Sequence, residues 1–303
     1  MTRQFRTEFP GALYHIYSRG NNKKTIFHED EDRHKFLSIL NKVLKDCNIL
    51  CYGYCIMGTH YHMLLETPDA NISRGMHRLH STYAQYFNNR YECVGHLFQG
   101  RFHSILVQRE LYLLELCRYI VLNPIRAGLV KHPGEYKWSS FNEMIGAIKH
   151  EYRILSTEWI LSRFGTETNE ARNNYVHFVL DGIDKPSPLS NAVGNTFLGN
   201  KEFLSSLESI LEPVTNNKRI SSEQRYAYRP TLSELFEYSE CFTKEFRNKI
   251  IFHAYSTYSY RQVDIARHIN LHSVTVNNII KAERSKCVID HSSLAPNVKN
   301  VKF

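Results

Sequence analysis

The stretch "THYHMLLE", residues 59–66, decides the fold and raises the functional question. Its residues read as a β-strand, and on a strand the side chains at i and i+2 share a face. His60 and His62 therefore stand side by side, with Tyr61 and Met63 on the opposite face. Two imidazoles on one rigid face can form part of a metal site, histidine being the commonest metal ligand. The pair also reads as two partly exposed histidines on a sheet, and a lone His-x-His motif does not separate these readings.

Working outward, "ILCYGYCIM" (49–57) is a second strand, and Gly58-Thr59 turns it into "HYHMLLE". "GALYHIYSRG" (11–20) is rich in β-formers and runs into the basic turn "RGNNKK", while "RFHSILVQ" (101–108) supplies a fourth strand. Between them lie two amphipathic helices. From Glu29 to Cys47, Phe36, Leu37, Leu40, Val43, Leu44 and Cys47 keep the 3.6 period; over 71–90, Ile72, Met76, Leu79, Tyr83, Tyr86 and Phe87 do so. "ELYLLELCRYIVLN" (110–123) is a strongly apolar helix, stopped by Pro124 for want of an amide hydrogen. The order β-α-β-β-α-β is that of an α+β fold: a split βαβ, ferredoxin-like antiparallel sheet with helices on one face.

Residues 151–212 read as helical, through "STEWILSRF", "NEARNNYVHFVLDGI" and "KEFLSSLESIL". The polar stretch 212–230 reads as a linker, and an all-α region follows, with a frayed tail after Lys286. The expected domains are 1–150, 151–229 and 230–303. They carry 19 Lys/Arg against 13 Asp/Glu, 9 against 10, and 10 against 7, so both ends are basic and the middle is not. That distribution suits two surfaces for a polyanion as well as a merely soluble basic protein. No run of 18 apolar residues spans a membrane, and the N-terminus lacks the apolar stretch of a secretory signal. Seven cysteines without CxxC spacing fit a reduced compartment, so a cytoplasmic location is expected.

On the apolar helix, Tyr119 and Asn123 lie one turn apart on the same face. A tyrosine hydroxyl can act as a covalent nucleophile, and an amide oxygen suits a hard divalent cation. Tyr119 also reads as simple packing, in a chain with 19 tyrosines. Taken in order, "YHIYSRGNNKKTIF", "HYHMLLE", "GHLFQGRFHSILV" and "CRYIVLNPIRAGLV" resemble the REP-associated tyrosine transposases, of the HUH class of single-strand DNA transposases, over about residues 8–145. The resemblance implies an HUH motif at His60, Tyr61 and His62, a catalytic Tyr119, and a third metal ligand at Asn123. It makes 1–150 a catalytic domain that uses Mg²⁺ or Mn²⁺. The implied activity is cleavage and rejoining of DNA near palindromic-repeat hairpins through a 5′-phosphotyrosyl link, by a monomer as in the REP-associated group or by a dimer that exchanges the tyrosine helix as in other relatives.

Arg19, Lys23 and Lys24 in the basic turn are candidate phosphate contacts. Phe98, Gln99, Arg101 and Phe102 mix groups that stack on and hydrogen-bond to unpaired bases, or else pack in the sheet. Residues 258–286 have helix-turn-helix spacing, resembling the replication-initiator type. Ser259 with Gln262 would cap the first helix, and Asn270 would occupy a left-handed turn position. Ser273 would cap the second helix, which Val276 and Ile279 would pack against the first. Ser273, Thr275, Asn277 and Lys281 are then candidate contacts to duplex DNA, unless the hairpin only packs on the catalytic domain. Two other functional readings remain: a domesticated DNA-binding protein without nuclease activity, and a metallohydrolase of small phosphoesters, which leaves the basic ends unexplained.

Overall fold

The computed structural model describes residues 7–148, 154–207, 231–236, 243–256, 258 and 260–292. These residues fall in two compact units, Met1–Arg225 and Tyr226–Phe303. The expected linker, 212–230, lies outside the described residues. No helix among the described residues is long and apolar enough to cross a membrane.

The first unit is built on four antiparallel strands, β1 (Ala12–Arg19), β2 (Leu50–Ile56), β3 (His60–Thr67) and β4 (His103–Val107), with helices α1 (Asp30–Asp46) and α2 (Ile72–Arg90) between them. The sheet order is β2-β3-β1-β4, as the split βαβ arrangement requires, and a fifth strand follows β4. Period-two alternation sorts the side chains of β3. Tyr61 is fully buried, 5.0 Å from the Phe36 ring of α1, and its hydroxyl meets His80 Nε2 of α2 at 2.6 Å. That contact explains a tyrosine between the two histidines: its ring fills the core and its polar tip finds a partner.

The ends of α1 and α2 are tied by Asp32, which is fully buried. Its carboxylate accepts the His28 and Glu29 amides at 2.8 and 3.0 Å and the Tyr91 hydroxyl at 2.8 Å. A negative charge there also complements the N-terminal end of the α1 dipole. Gly75 lets α2 lie close against Ile49, at the entry to β2, since a Cβ at that position would lie 2.7 Å from the Ile49 side chain.

The expectation of helices on one face holds for α1 and α2 only. Helix α3 (Arg109–Val121) packs on the opposite face, where it meets β2 and β3. Pro124 does not stop the chain's helical course, because the turn α4 (Asn123–Arg126) begins just before it and needs no amide hydrogen there. Nor is the segment after residue 151 purely helical. It contains α5 (Thr168–Leu180), but Leu155 bridges to Cys51 at one sheet edge, and β5 (Phe197–Leu198) pairs in parallel with β4 at the other. Unpaired edge strands leave backbone groups unsatisfied, and this segment supplies partners at both.

In the second unit, α6 (Lys244–Ser256), α7 (Gln262–His268) and α8 (Ser273–Ser292) bury Phe236, Ile251, Ile265, Ala266, Val276 and Ile280. Asn270 has φ 54°, the expected left-handed turn. Three details differ from expectation. Arg261 is the N-cap residue of α7, while Ser259 lies outside the described residues. Ser273 is the first helical residue rather than the cap, and His272 Nδ1 accepts the Val274 amide instead at 3.3 Å. Ile280 takes the fully buried place expected of Ile279, which is only partly covered. The backbone of α8 also stays helical to Ser292, past the expected fraying at Lys286.

Phe36 touches Phe27, Tyr61 and Tyr83 at ring separations of 5.0–5.2 Å and is fully buried. Phe36→Ala should cost about 3–5 kcal/mol of unfolding free energy in a denaturant titration. Leu111→Ala, at a site 51% exposed, should stay within about 0.5 kcal/mol of wild type. A small loss at Phe36 would contradict this account of the core.

Candidate active site

Strand pairing assembles the site from residues far apart in sequence. His60 lies opposite Arg19 and His62 opposite Tyr17 across β1–β3, while Tyr17 lies opposite His103 across β1–β4. All point to the α3 face, together with His15. The His60 and His62 rings are 5.2 Å apart and nearly perpendicular. Tyr119 enters from α3, edge-on to His62 at 6.3 Å and to His15 at 6.2 Å. Thus the structure brings His60, His62 and Tyr119 together, with Asn123 one helical turn beyond.

Each histidine has its Nδ1 engaged: Thr59 Oγ1 lies 3.0 Å from that of His60, and His15 Nε2 lies 3.1 Å from that of His62. The Nε2 atoms are what remain to bind a ligand. Burial is the chief cause that lowers the His60 pKa, helped by Arg19. His62 is held well below the usual imidazole range by burial, then by His15 and His60. Both imidazoles are therefore neutral at neutral pH, which is the form that ligates a metal.

Asn123 does two jobs with one amide. Its Nδ2 donates to the carbonyls of Tyr119 and Ile120 at 3.0 and 3.1 Å, ending α3. The Ile120 carbonyl is the one that Pro124, lacking an N–H, leaves without a helical donor. Oδ1 is then the atom left to face a ligand. Two neutral imidazole nitrogens and an amide oxygen are a donor set that fits a divalent cation. Among the described residues, no group of three or more His, Cys, Asp or Glu could hold a metal ion.

Helix α3, which carries Tyr119, is clamped from behind. Arg118, almost fully buried, forms an ion pair with Glu115, donates to the Phe178 carbonyl at 3.4 Å, and lies 4.4 Å from the Phe178 ring centroid. The Arg126 guanidinium sits 4.7 Å over the Tyr119 ring and donates to the Lys185 carbonyl at 3.0 Å. Segment 154–207 therefore grips both arginines that flank Tyr119. His15, Tyr17, His103 and Arg126 are site residues that reading the sequence missed. The one available signal was that His15 and Tyr17 alternate on a predicted strand.

The expected DNA contacts divide. Arg19, Lys23, Lys24, Gln99 and Arg101 are exposed, and the Gln99 amide donates to the Arg19 carbonyl at 2.9 Å, gathering them at the end of β1. Lys23 and Lys24 line an open cavity of about 660 Å³ with Asn21, Asn22, His28 and His96. Phe98 and Phe102, by contrast, are buried, Phe98 stacking on His80 at 3.9 Å, so these rings pack the core rather than meet bases. On α8, Thr275 and Lys281 are exposed and Ser273 is partly so. Asn277 instead accepts from Gln262 Nε2 of α7 at 3.4 Å, because it faces the preceding helix.

Burial lowers the pKa of His15 from 6.5 to about 3. The unfolded chain thus takes up a proton that the folded chain refuses, and stability falls as pH drops from 6.5 toward about 3. In metal-free protein, the urea midpoint should drop more between about pH 7.5 and pH 5 in wild type than in His15→Phe. Equal drops would contradict a neutral, buried His15.

Residues 9–123 match the family described as "Transposase IS200 like". Two solved structures are similar in shape. One is a REP-associated tyrosine transposase bound to a REP hairpin: 16% identity over 52% of this chain and 93% of that one, with a TM-score of 0.42. The other is a Deinococcus radiodurans R1 chain assigned as a transposase: 17% identity over 39% of this chain and 95% of that one, with a TM-score of 0.29. No curated protein matches. The matched segment opens just before β1, contains His60, His62 and Tyr119, and ends on Asn123, so the similarity to the IS200-like transposase family covers residues 9–123.

Proposed function

We propose that this transposase is a single-tyrosine enzyme that cuts and rejoins single-stranded DNA near palindromic-repeat hairpins, with Tyr119 as nucleophile and Mg²⁺ or Mn²⁺ as cofactor. The observation that carries the reading is the placement of Tyr119 edge-on to His62 at 6.3 Å, beside two neutral histidines whose Nδ1 atoms are already engaged. The hairpin target follows the resemblance to the REP-associated group.

His60, His62 and Asn123 would hold the cation, which supplies charge neutralisation at the scissile phosphate. Tyr119 Oη attacks phosphorus and gives up its proton. The P–O3′ bond breaks, and the departing 3′-oxygen takes up a proton to become a hydroxyl. The 3′ fragment stays on Tyr119 through its 5′-phosphate, and a second 3′-hydroxyl can reverse the attack and rejoin strands. Arg126, held over the ring by the Lys185 carbonyl, fixes the ring's orientation and places positive charge beside the incoming phosphate. Arg19, Lys23 and Lys24 bind the flanking backbone. A monomer is proposed on the resemblance to the REP-associated group.

Tyr119→Phe keeps the ring and its packing and removes only the attacking oxygen. With repeat hairpin DNA labelled 3′ to the cut, wild type should form a covalent adduct on a denaturing gel. The variant should form none, while its gel-shift affinity stays near wild type. A labelled Tyr119→Phe would move the nucleophile elsewhere, Tyr17 on the same sheet face being the first to test. Wild type that binds DNA but never becomes labelled, with either metal, would make the chain a DNA-binding protein without nuclease activity.

The second unit is proposed to bind duplex DNA through the exposed face of α8. Lys281→Ala in the full chain should weaken duplex binding uniformly across sequences and reduce the slope of log K against log salt by about 1. An unchanged slope would remove α8 from the interface.

A further inference from the structure

His15 stands in the middle of β1 with no exposed surface. An imidazole there gives up the solvation of two ring nitrogens. Only one is compensated: Nε2 meets His62 Nδ1 at 3.1 Å, while Nδ1 has no hydrogen-bond partner. The two rings are parallel within 4° and 5.3 Å apart. A buried polar group that is half satisfied calls for an explanation beyond packing.

The contact admits two proton arrangements. If His15 Nε2–H donates to His62 Nδ1, the neutral His62 ring carries its proton on Nε2 and presents no lone pair to the site. If His62 Nδ1–H donates to His15 Nε2, the Nε2 lone pair of His62 is free. Thr59 cannot make such a choice for His60, because its hydroxyl rotates to donate or accept. Taking the proposed metal site as given, we propose that His15 is a positioning residue: by accepting the Nδ1 proton of His62, it fixes the tautomer and ring angle that aim His62 Nε2 at a divalent cation. The remaining proton of His15 then sits on Nδ1, the unpartnered atom. Partners of this kind are worth 10–100-fold in metal affinity, by order of magnitude.

The test uses the full chain and Mn²⁺ alone, titrated by electron paramagnetic resonance, in wild type, His15→Phe and His15→Gln. Phenylalanine keeps a ring in the core but offers no acceptor, whereas the glutamine amide reaches the place of Nε2 and can accept. His15→Phe should lose about 10–100-fold in Mn²⁺ affinity, and His15→Gln should stay close to wild type. In the Mg²⁺-saturated wild type, ¹⁵N-histidine spectra should show His62 protonated at Nδ1. The inference is overturned if His15→Phe binds Mn²⁺ like wild type, if both variants weaken equally, or if the His62 proton is on Nε2. A wild type that takes up no Mn²⁺ would instead bring down the metal site itself, and this inference with it.

Discussion

Consecutive side chains on a strand must point to opposite faces, and the whole catalytic unit follows from how β3 meets that constraint. Tyr61 goes down into the core between α1 and α2, and His60 and His62 go up beneath α3. The same fully packed core that buries Tyr61 makes β3 rigid, so the two imidazoles are fixed by the fold rather than by a loop. A one-residue slip of β3 against β1 would put Tyr61 in the site and both histidines in the core.

Tyr119, as the proposed nucleophile on a helix, needs a second kind of restraint, against sliding and rotation over the sheet. Here it comes from residues remote in sequence. The buried Arg118 against Phe178, and Arg126 against the Lys185 carbonyl, hold α3 and α4 on either side of Tyr119. Asn123 closes the end of α3 with its amide hydrogens and keeps its oxygen available. The segment after residue 154 thereby has a role: it pairs with both sheet edges and braces the helix that carries the tyrosine.

The four strands and two amphipathic helices were legible because period-two and 3.6-period patterns are local and strong there, whereas the His60–His62–Tyr119 grouping came from the resemblance and not from periodicity. What stayed hidden depends on tertiary packing. His15 sits in an apolar strand as one more β-compatible residue, and only the register of β1 on β3 shows that it reaches His62. Phe98 and Phe102 look like a stacking platform in sequence, but their burial against His80 is a property of the folded core. The two-residue β5 has no alternation to detect, and only the fold sets Arg126 over Tyr119.

The central claim is that one tyrosine, placed by α3 beside two neutral histidines, takes the phosphate. Trapping the adduct on hairpin DNA, digesting with trypsin and nuclease, and sequencing the modified peptide by mass spectrometry reads that residue directly. The account predicts the nucleotide mass on the peptide Tyr119–Arg126, "YIVLNPIR", which has a single tyrosine. The same mass on the peptide Thr7–Arg19, which carries Tyr14 and Tyr17, would contradict it.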